Sequence, residues 1–171
     1  MKLLTSLAGG LAGALAVTLL HELTRKMGTS NAPRLDTLGE QATAKLIEKT
    51  GHDAPTGSKL HNTALAGDIL ANTLYYSLAG ARMNKAMSTG GILGLSAGIG
   101  ALKLPGVLGL SEDKTNSSPK QRWLTIGLYV AGGLIAAGVT RWLEKKAKRN
   151  NTGGPAYSPE KSYKPVLDIT A

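Results

Sequence analysis

The sequence predicts an all-α membrane protein: a four-transmembrane-helix bundle with one extramembrane amphipathic helix and an extended C-terminal tail. Four long runs contain no charge or a single one, and each approaches the roughly 20 residues that a helix needs to cross a bilayer. The chain has 22 glycines among 171 residues, and several recur every four positions, as in helices that pack closely in lipid. Polar stretches separate the four runs.

Composition limits the classes of function. The chain has no cysteine, which excludes disulfides and thiolate metal sites. The net charge is +9, and the basic residues flank the uncharged runs, which favours contact with anionic lipid over nucleic acid. Aromatic residues make up 4% of the chain and phenylalanine is absent, so we expect no base-stacking surface. The mean hydropathy of −0.04 is low for a membrane protein, and the polar segments 22–59 and 144–171 explain only part of it.

The first span is predicted at residues 3–22. Its uncharged run follows Lys2 and contains Gly9 and Gly13. A secretory signal peptide cleaved after Ala14-Leu15-Ala16 is the alternative. The apolar run continues to Leu20, and three later runs also need a membrane, so the pattern favours a span.

An amphipathic helix is predicted at about residues 36–50. Pro33 is suited to a helix start, and Thr37 with Glu40 fits a capping box. Apolar residues recur at helical spacing in this segment. We expect the helix to lie on the membrane surface or over the mouth of the bundle, and an ordinary solvated helix remains open.

The second span is predicted at residues 60–81, and Asp68 near its middle is its one formal charge. A carboxylate there must face protein, water or a cation, because an ion in hydrocarbon is costly. Polar residues share its helical face: His61, Asp68, Asn72 and Tyr75. Two interpretations stay open, interhelical hydrogen bonding and a proton or ion path that uses Asp68 and His61.

The third span is predicted at residues 86–104, after a tight polar turn at residues 82–85. Gly90, Gly94 and Gly98 form a ladder at four-residue spacing, which predicts close packing against another helix. A self-assembling glycine-lined pore is the sharper alternative. Pro105 is expected to kink or end this helix.

The hairpin of the second and third spans predicts an ion pair. Counted from the turn, Asp68 and Lys103 lie at depths of about 21 and 27 Å along straight helices. Pairing would relieve the cost of each charge in a low-dielectric interior. The alternative is that Lys103 extends to the headgroups while Asp68 bonds Asn72 and neighbouring hydroxyls.

The fourth span is predicted at residues 123–143, with four interfacial anchors: Arg122, Trp123, Arg141 and Trp142. The two tryptophans are separated by about 28 Å along a helix, close to the hydrocarbon thickness. Small-residue pairs also occur here, Gly127 with Ala131 and Gly133 with Ala137. The basic cluster after Trp142 favours cytoplasmic termini on one shared side, and residues 150–171 are expected to be extended or disordered.

Several stretches resemble a known group of proteins. TLLHELTRK with NAPRLDTLGEQA, then AGDILANTLYYSLAG and GLYVAGGLIAAGV, is similar to small multi-pass membrane proteins of bacteria, over most of residues 1–143. The resemblance implies a location in the bacterial inner membrane. It implies no activity, cofactor or catalytic residue.

The sequence holds no catalytic motif, so we expect no enzyme activity, cofactor or metal site. Segment 21–25, HELTR, lacks the second histidine of a zinc-protease motif, although His21, Glu22 and His61 could share one interface. The favoured hypothesis is a structural or accessory membrane protein that packs by glycine-rich faces. The alternative is a small oligomeric channel, holin-like pore or proton-coupled carrier that uses Asp68. The expected partners are the lipid bilayer and other membrane subunits or a second copy, with no nucleic acid.

Overall fold

A computed structural model describes residues 2–27, 32–110 and 118–152, without the side chains of residues 82, 151 and 152. Within these residues all regular structure is helical, which confirms the all-α part of the predicted fold class. The described α-helices are α1 Lys2–Lys26, α2 Leu35–Lys49, α3 Gly57–Ser77, α4 Ala86–Val107 and α5 Pro119–Thr152. A 3₁₀ segment, Leu78–Lys85, joins α3 to α4.

The helix α5 is longer than the predicted span at both ends. It begins at Pro119, whose fixed φ suits the first helical position, and the Ser118 hydroxyl accepts the Gln121 N–H at 3.1 Å as an N-cap. Its far end continues through the basic cluster, where cations favour the negative end of the helix dipole. Residues 150–152, predicted as extended, are therefore helical, and the rest of the predicted tail lies outside the described residues.

Three local predictions differ from the structure. The predicted turn at 82–85 is part of the eight-residue 3₁₀ segment. The capping box at Thr37 is wrong, because α2 begins two residues earlier and Arg34 stands at its N-cap without a side-chain cap. Helix α4 passes through Pro105 and ends at Val107. A Schellman-type end explains this stop: Gly109 takes a φ of 64°, and the Leu110 N–H bonds the Pro105 carbonyl at 2.7 Å.

The helices pack in the spatial order α3, α1, α5, α4. The most extensive interfaces are those of α5 with α4, of α5 with α1, and of α1 with α3. Each of these pairs is antiparallel: Gly9 lies beside Thr140 and Gly13 beside Gly132, for example. The consecutive helices α3 and α4 make little contact, so they do not form the predicted packed hairpin.

The interior is built from small side chains, whereas the large apolar side chains lie outside. Among the described residues, the largest fully buried side chains are Tyr76, Val17, Thr125 and Thr140. Within the part of the chain that the structure describes, three segments are long and apolar enough to cross a membrane: Lys2–Lys26, Met83–Val107 and Pro119–Asn150. Helix α3 is not among them, because its polar residues lower its hydropathy, so a four-span bundle does not follow from length and apolarity alone.

Candidate functional site

The predicted glycine ladder of α4 lies against the backbone of α5. A Cβ added at Gly94 would lie 2.5 Å from the Val130 Cα, and one added at Gly98 would lie 2.8 Å from the Ile126 Cα. A Cβ added at Gly90 would meet the Gly133 carbonyl oxygen. All three glycines are buried. Only residues without a side chain let these two backbones approach so closely.

The glycines of α1 serve two interfaces. A Cβ added at Gly9 or Gly13 would lie 2.7 Å from a carbonyl oxygen of α5. Gly10, which the sequence analysis did not single out, faces α3 instead, where an added Cβ would lie 2.9 Å from the Ser77 nitrogen. The adjacent pair Gly9-Gly10 could have predicted the second interface, because adjacent helical positions point about 100° apart and so face two different neighbours. Gly127 has open space at its Cβ position, so its predicted small-residue pair marks no helix contact.

A cleft lies where α3 and α4 separate, at the end of the bundle remote from Lys2. Its volume is about 530 Å³. Helix α2 covers it, and α1 and Tyr129 of α5 form its floor. Its lining is mainly apolar and includes Leu19, Leu38, Ala64, Leu65, Leu104 and Pro105. Such a volume and lining suit a ligand of drug-like size.

Asp68 lines this cleft, and its carboxylate has one hydrogen-bond partner among the described side chains. The Asn72 Nδ2 donates to the Asp68 Oδ1 at 2.9 Å, one turn along α3. No described Lys, Arg or His side chain forms an ion pair with Asp68. The predicted pair with Lys103 is therefore wrong: Lys103 is exposed, and α3 and α4 diverge instead of packing along their lengths.

The other charged groups at the cleft are paired. Arg25 bonds Glu22 on its own helix and the Asp36 Oδ2 of α2 at 3.1 Å. His61 Nδ1 lies 2.7 Å from the Glu40 Oε1, which ties α3 to α2. These bridges hold α2 over the cleft, and neither pairing was predicted from the sequence. Among the described residues, no group of three or more His, Asp and Glu side chains is placed to hold a metal ion.

Two neighbouring tyrosines attach α3 to different helices. The Tyr76 hydroxyl, which is fully buried, donates to the Tyr129 carbonyl at 3.0 Å. Tyr75, on the predicted polar face, lies 2.7 Å from the Ser96 Oγ of α4. Ser96 already donates to carbonyls of its own helix, so Tyr75 is the donor. The predicted polar face of α3 therefore points toward α4 and the cleft.

His21 closes the floor of the cleft. Its ring meets the Tyr129 ring edge to face, with centroids 5.6 Å apart. One ring nitrogen bonds the Val17 carbonyl, and Nε2 is buried without a partner in the described structure. His21 and His61 line the same cleft, but His61 is bound to Glu40, so the two do not form a common ligand set.

The predicted interface anchors allow the depth of the cleft to be counted. Trp123 and Trp142 are exposed on α5, as are Arg122 and Arg141. Val17, next to the cleft residue Thr18, lies against Gly132, about 14 Å along α5 from Trp123. Asp68 lines the same cleft as Tyr129, which is about 9 Å along α5 from Trp123, so Asp68 lies between the levels of the two tryptophans.

Known proteins add nothing to this geometry. No protein-family model, curated protein or solved structure matches the chain. The resemblance to bacterial membrane proteins stays a prediction.

Proposed function

We propose that this chain is a small integral membrane protein with a structural or accessory role in a larger membrane complex. The observation that carries the proposal is the distribution of side chains. Glycine, alanine and threonine fill the helix interfaces, and the outer surface carries the large apolar residues. Those on the outside of the bundle include Leu4, Leu11, Leu15, Ile92, Leu95 and Ile99. Lipid is the solvent that suits such a surface.

We propose further that α3 crosses the membrane as a fourth span. It runs antiparallel to α1, from Gly10 beside Ser77 at one end to Thr18 and Ala64 around the cleft at the other. Its outer side exposes Leu70 and Leu74, whereas Asp68 lines the cleft. A helix that accompanies α1 over this length shares the depth of α1 in the bilayer.

The packing of the glycine faces inside the bundle also supports the accessory role. The glycine faces of α1 and α4 are already occupied by α5, so they are not available to line a pore between copies. The exposed apolar outer surface remains free for lipid or for other membrane subunits. Both termini then share one side, and the basic residues after Trp142 favour the cytoplasmic side of a bacterial inner membrane.

The test is native mass measurement after gentle extraction from the membrane of the source cell. An accessory subunit should be released with other membrane proteins in a fixed ratio, above the 17.7 kDa of one chain. A monomer or a pure homo-oligomer would contradict the accessory role.

A proton-coupled carrier is the second candidate, and the position of Asp68 in the cleft favours it. Proton flux into proteoliposomes should then occur with the wild-type protein and be lost in Asp68→Asn. Asp53→Asn is the matched control, because Asp53 is exposed outside the bundle. Equal flux in the two variants would reject this candidate.

A further inference from the structure

The cleft is a formed cavity with one unbalanced charge. Its titratable lining residues are His21, Glu22, Arg25, Asp36, His61 and Asp68. Arg25 pairs with Glu22 and Asp36, Lys26 supplies a second positive charge 3.6 Å from the Glu22 Oε1, and His61 is bound to Glu40. Among the described side chains, Asp68 receives a hydrogen bond only from the Asn72 amide, which satisfies part of one oxygen and supplies no charge. An unbalanced carboxylate in apolar surroundings is costly unless a cation or a proton joins it.

The lining selects the kind of cation. A hard metal ion takes six or more oxygen ligands, and the described residues offer no such group around Asp68. The walls opposite the carboxylate are leucine, alanine and proline side chains from three helices. An organic cation satisfies both features, because its charge meets Asp68 and its apolar body meets these walls.

The separation of α3 from α4 gives such a ligand an entrance. The hydrogen bond between Tyr75 and Ser96 joins the two helices on the side toward the 3₁₀ segment. The two helices make little other contact, and Asp68 is exposed between them. The opposite end of the cleft lies beneath α2. A lipophilic molecule that dissolves in the bilayer is able to enter from the side.

We propose that the cleft between α3 and α4 is a binding site for a lipophilic organic cation, with Asp68 as its counter-ion. The lateral entrance rests on the membrane position of α3 proposed above, whereas the site itself requires neither the accessory role nor the carrier function. Leu65 and Leu104 contact the apolar part of the ligand, and Asn72 positions the carboxylate.

The experiment compares two probes of the same shape and opposite charge. Tetraphenylphosphonium and tetraphenylborate are titrated separately into the full-length protein in an uncharged maltoside detergent, and binding is measured by equilibrium dialysis against detergent alone. We expect saturable binding of one phosphonium per chain and none of the borate. Either of two results would overturn the proposal. Absence of saturable phosphonium binding would show that the carboxyl group is protonated or inaccessible, and equal binding of both probes would show that its charge does not select the ligand.

Two variants locate the site. Asp68→Asn should weaken phosphonium binding about tenfold or more, since the counter-ion is lost, whereas Asp53→Asn should bind as the wild type does. Leu65→Trp keeps the charge and fills the cleft, so it should weaken binding as well. Leu65 is partly exposed, and its enlargement leaves the helix interfaces intact. Unchanged affinity in either cleft variant, with the fold verified by thermal melting, would place the probe elsewhere and refute the site.

Discussion

At the scale of single residues, a glycine is required here only where another backbone lies against it. Gly94 and Gly127 are both helical glycines, yet an added Cβ would collide with α5 at the first and meet nothing at the second. Spacing along the chain does not separate the two cases, because both belong to small-residue pairs four positions apart.

The first prediction uses this contrast. Gly94→Ala should lower the free energy of unfolding by about 1–3 kcal/mol, because overpacking forces the α4 and α5 backbones apart. Gly127→Ala should raise it by up to about 1 kcal/mol, because alanine favours a helix more than glycine does. Reversible unfolding in mixed detergent measures both. Equal effects at the two positions would show that Gly94 does not face α5.

The second prediction concerns Asp68 and Lys103. Because the two side chains are not partners, the effects of Asp68→Asn and Lys103→Gln on the free energy of unfolding should add to within about 0.5 kcal/mol. A double-mutant cycle in detergent tests this. A double mutant more stable than the worse single mutant would show that Asp68 and Lys103 do form an ion pair.

At the scale of elements, α5 organises the bundle because it presents two adjacent small-residue faces. Gly132 and Ala136 meet α1, and Gly133 and Ala137 meet α4. Consecutive positions differ by about 100° around a helix, so one run of small residues receives two neighbours. Helix α1 is arranged in the same way: Gly9 faces α5 and Gly10 faces α3.

Helix α2 is attached differently, and the third prediction follows from that. Leu38 is its one buried residue, and partly exposed ion pairs hold it to α1 and α3. Such pairs contribute little, commonly below about 1 kcal/mol each. Amide hydrogen exchange in detergent should therefore be faster in α2 than in α1 or α5.

Arg25→Gln is the companion variant for α2. It removes the bond to Asp36, so exchange in α2 should rise further while exchange in α5 stays unchanged. Protection of α2 equal to that of α1 would contradict the weak attachment.

At the scale of the whole molecule, the four long helices alternate in direction. The 3₁₀ segment and the two ends of the described chain lie together, opposite α2. If α3 crosses the membrane with α1, the segments that connect the four long helices must lie alternately on the two sides of the membrane.

The fourth prediction tests this topology. The chain has no cysteine, so single substitutions can be labelled without background. Cysteine at Asp53 and at Lys120 should react with an impermeant maleimide from one side of the membrane, and cysteine at Asn84 from the other. Reaction of the Asp53 and Asn84 positions from the same side would rule out α3 as a span.

The sequence by itself determined where the helices lie along the chain and that α1, α4 and α5 are apolar, because both properties depend on residues near one another in the chain. It indicated correctly that Gly90, Gly94 and Gly98 lie on one close-packed face. It did not determine the partner of that face, since a glycine face accepts any helix with small residues opposite.

The tertiary structure decided the partners, and with them the candidate site. Helix α4 packs on α5 in preference to its chain neighbour α3, because α5 offers Gly133 and Ala137 where α3 offers tyrosines and polar groups. The separation of α3 from α4 left Asp68 beside an apolar cleft and away from Lys103. The depths of Asp68 and Lys103, counted along straight helices, did not predict this separation. It results from competition among three interfaces and not from any one segment.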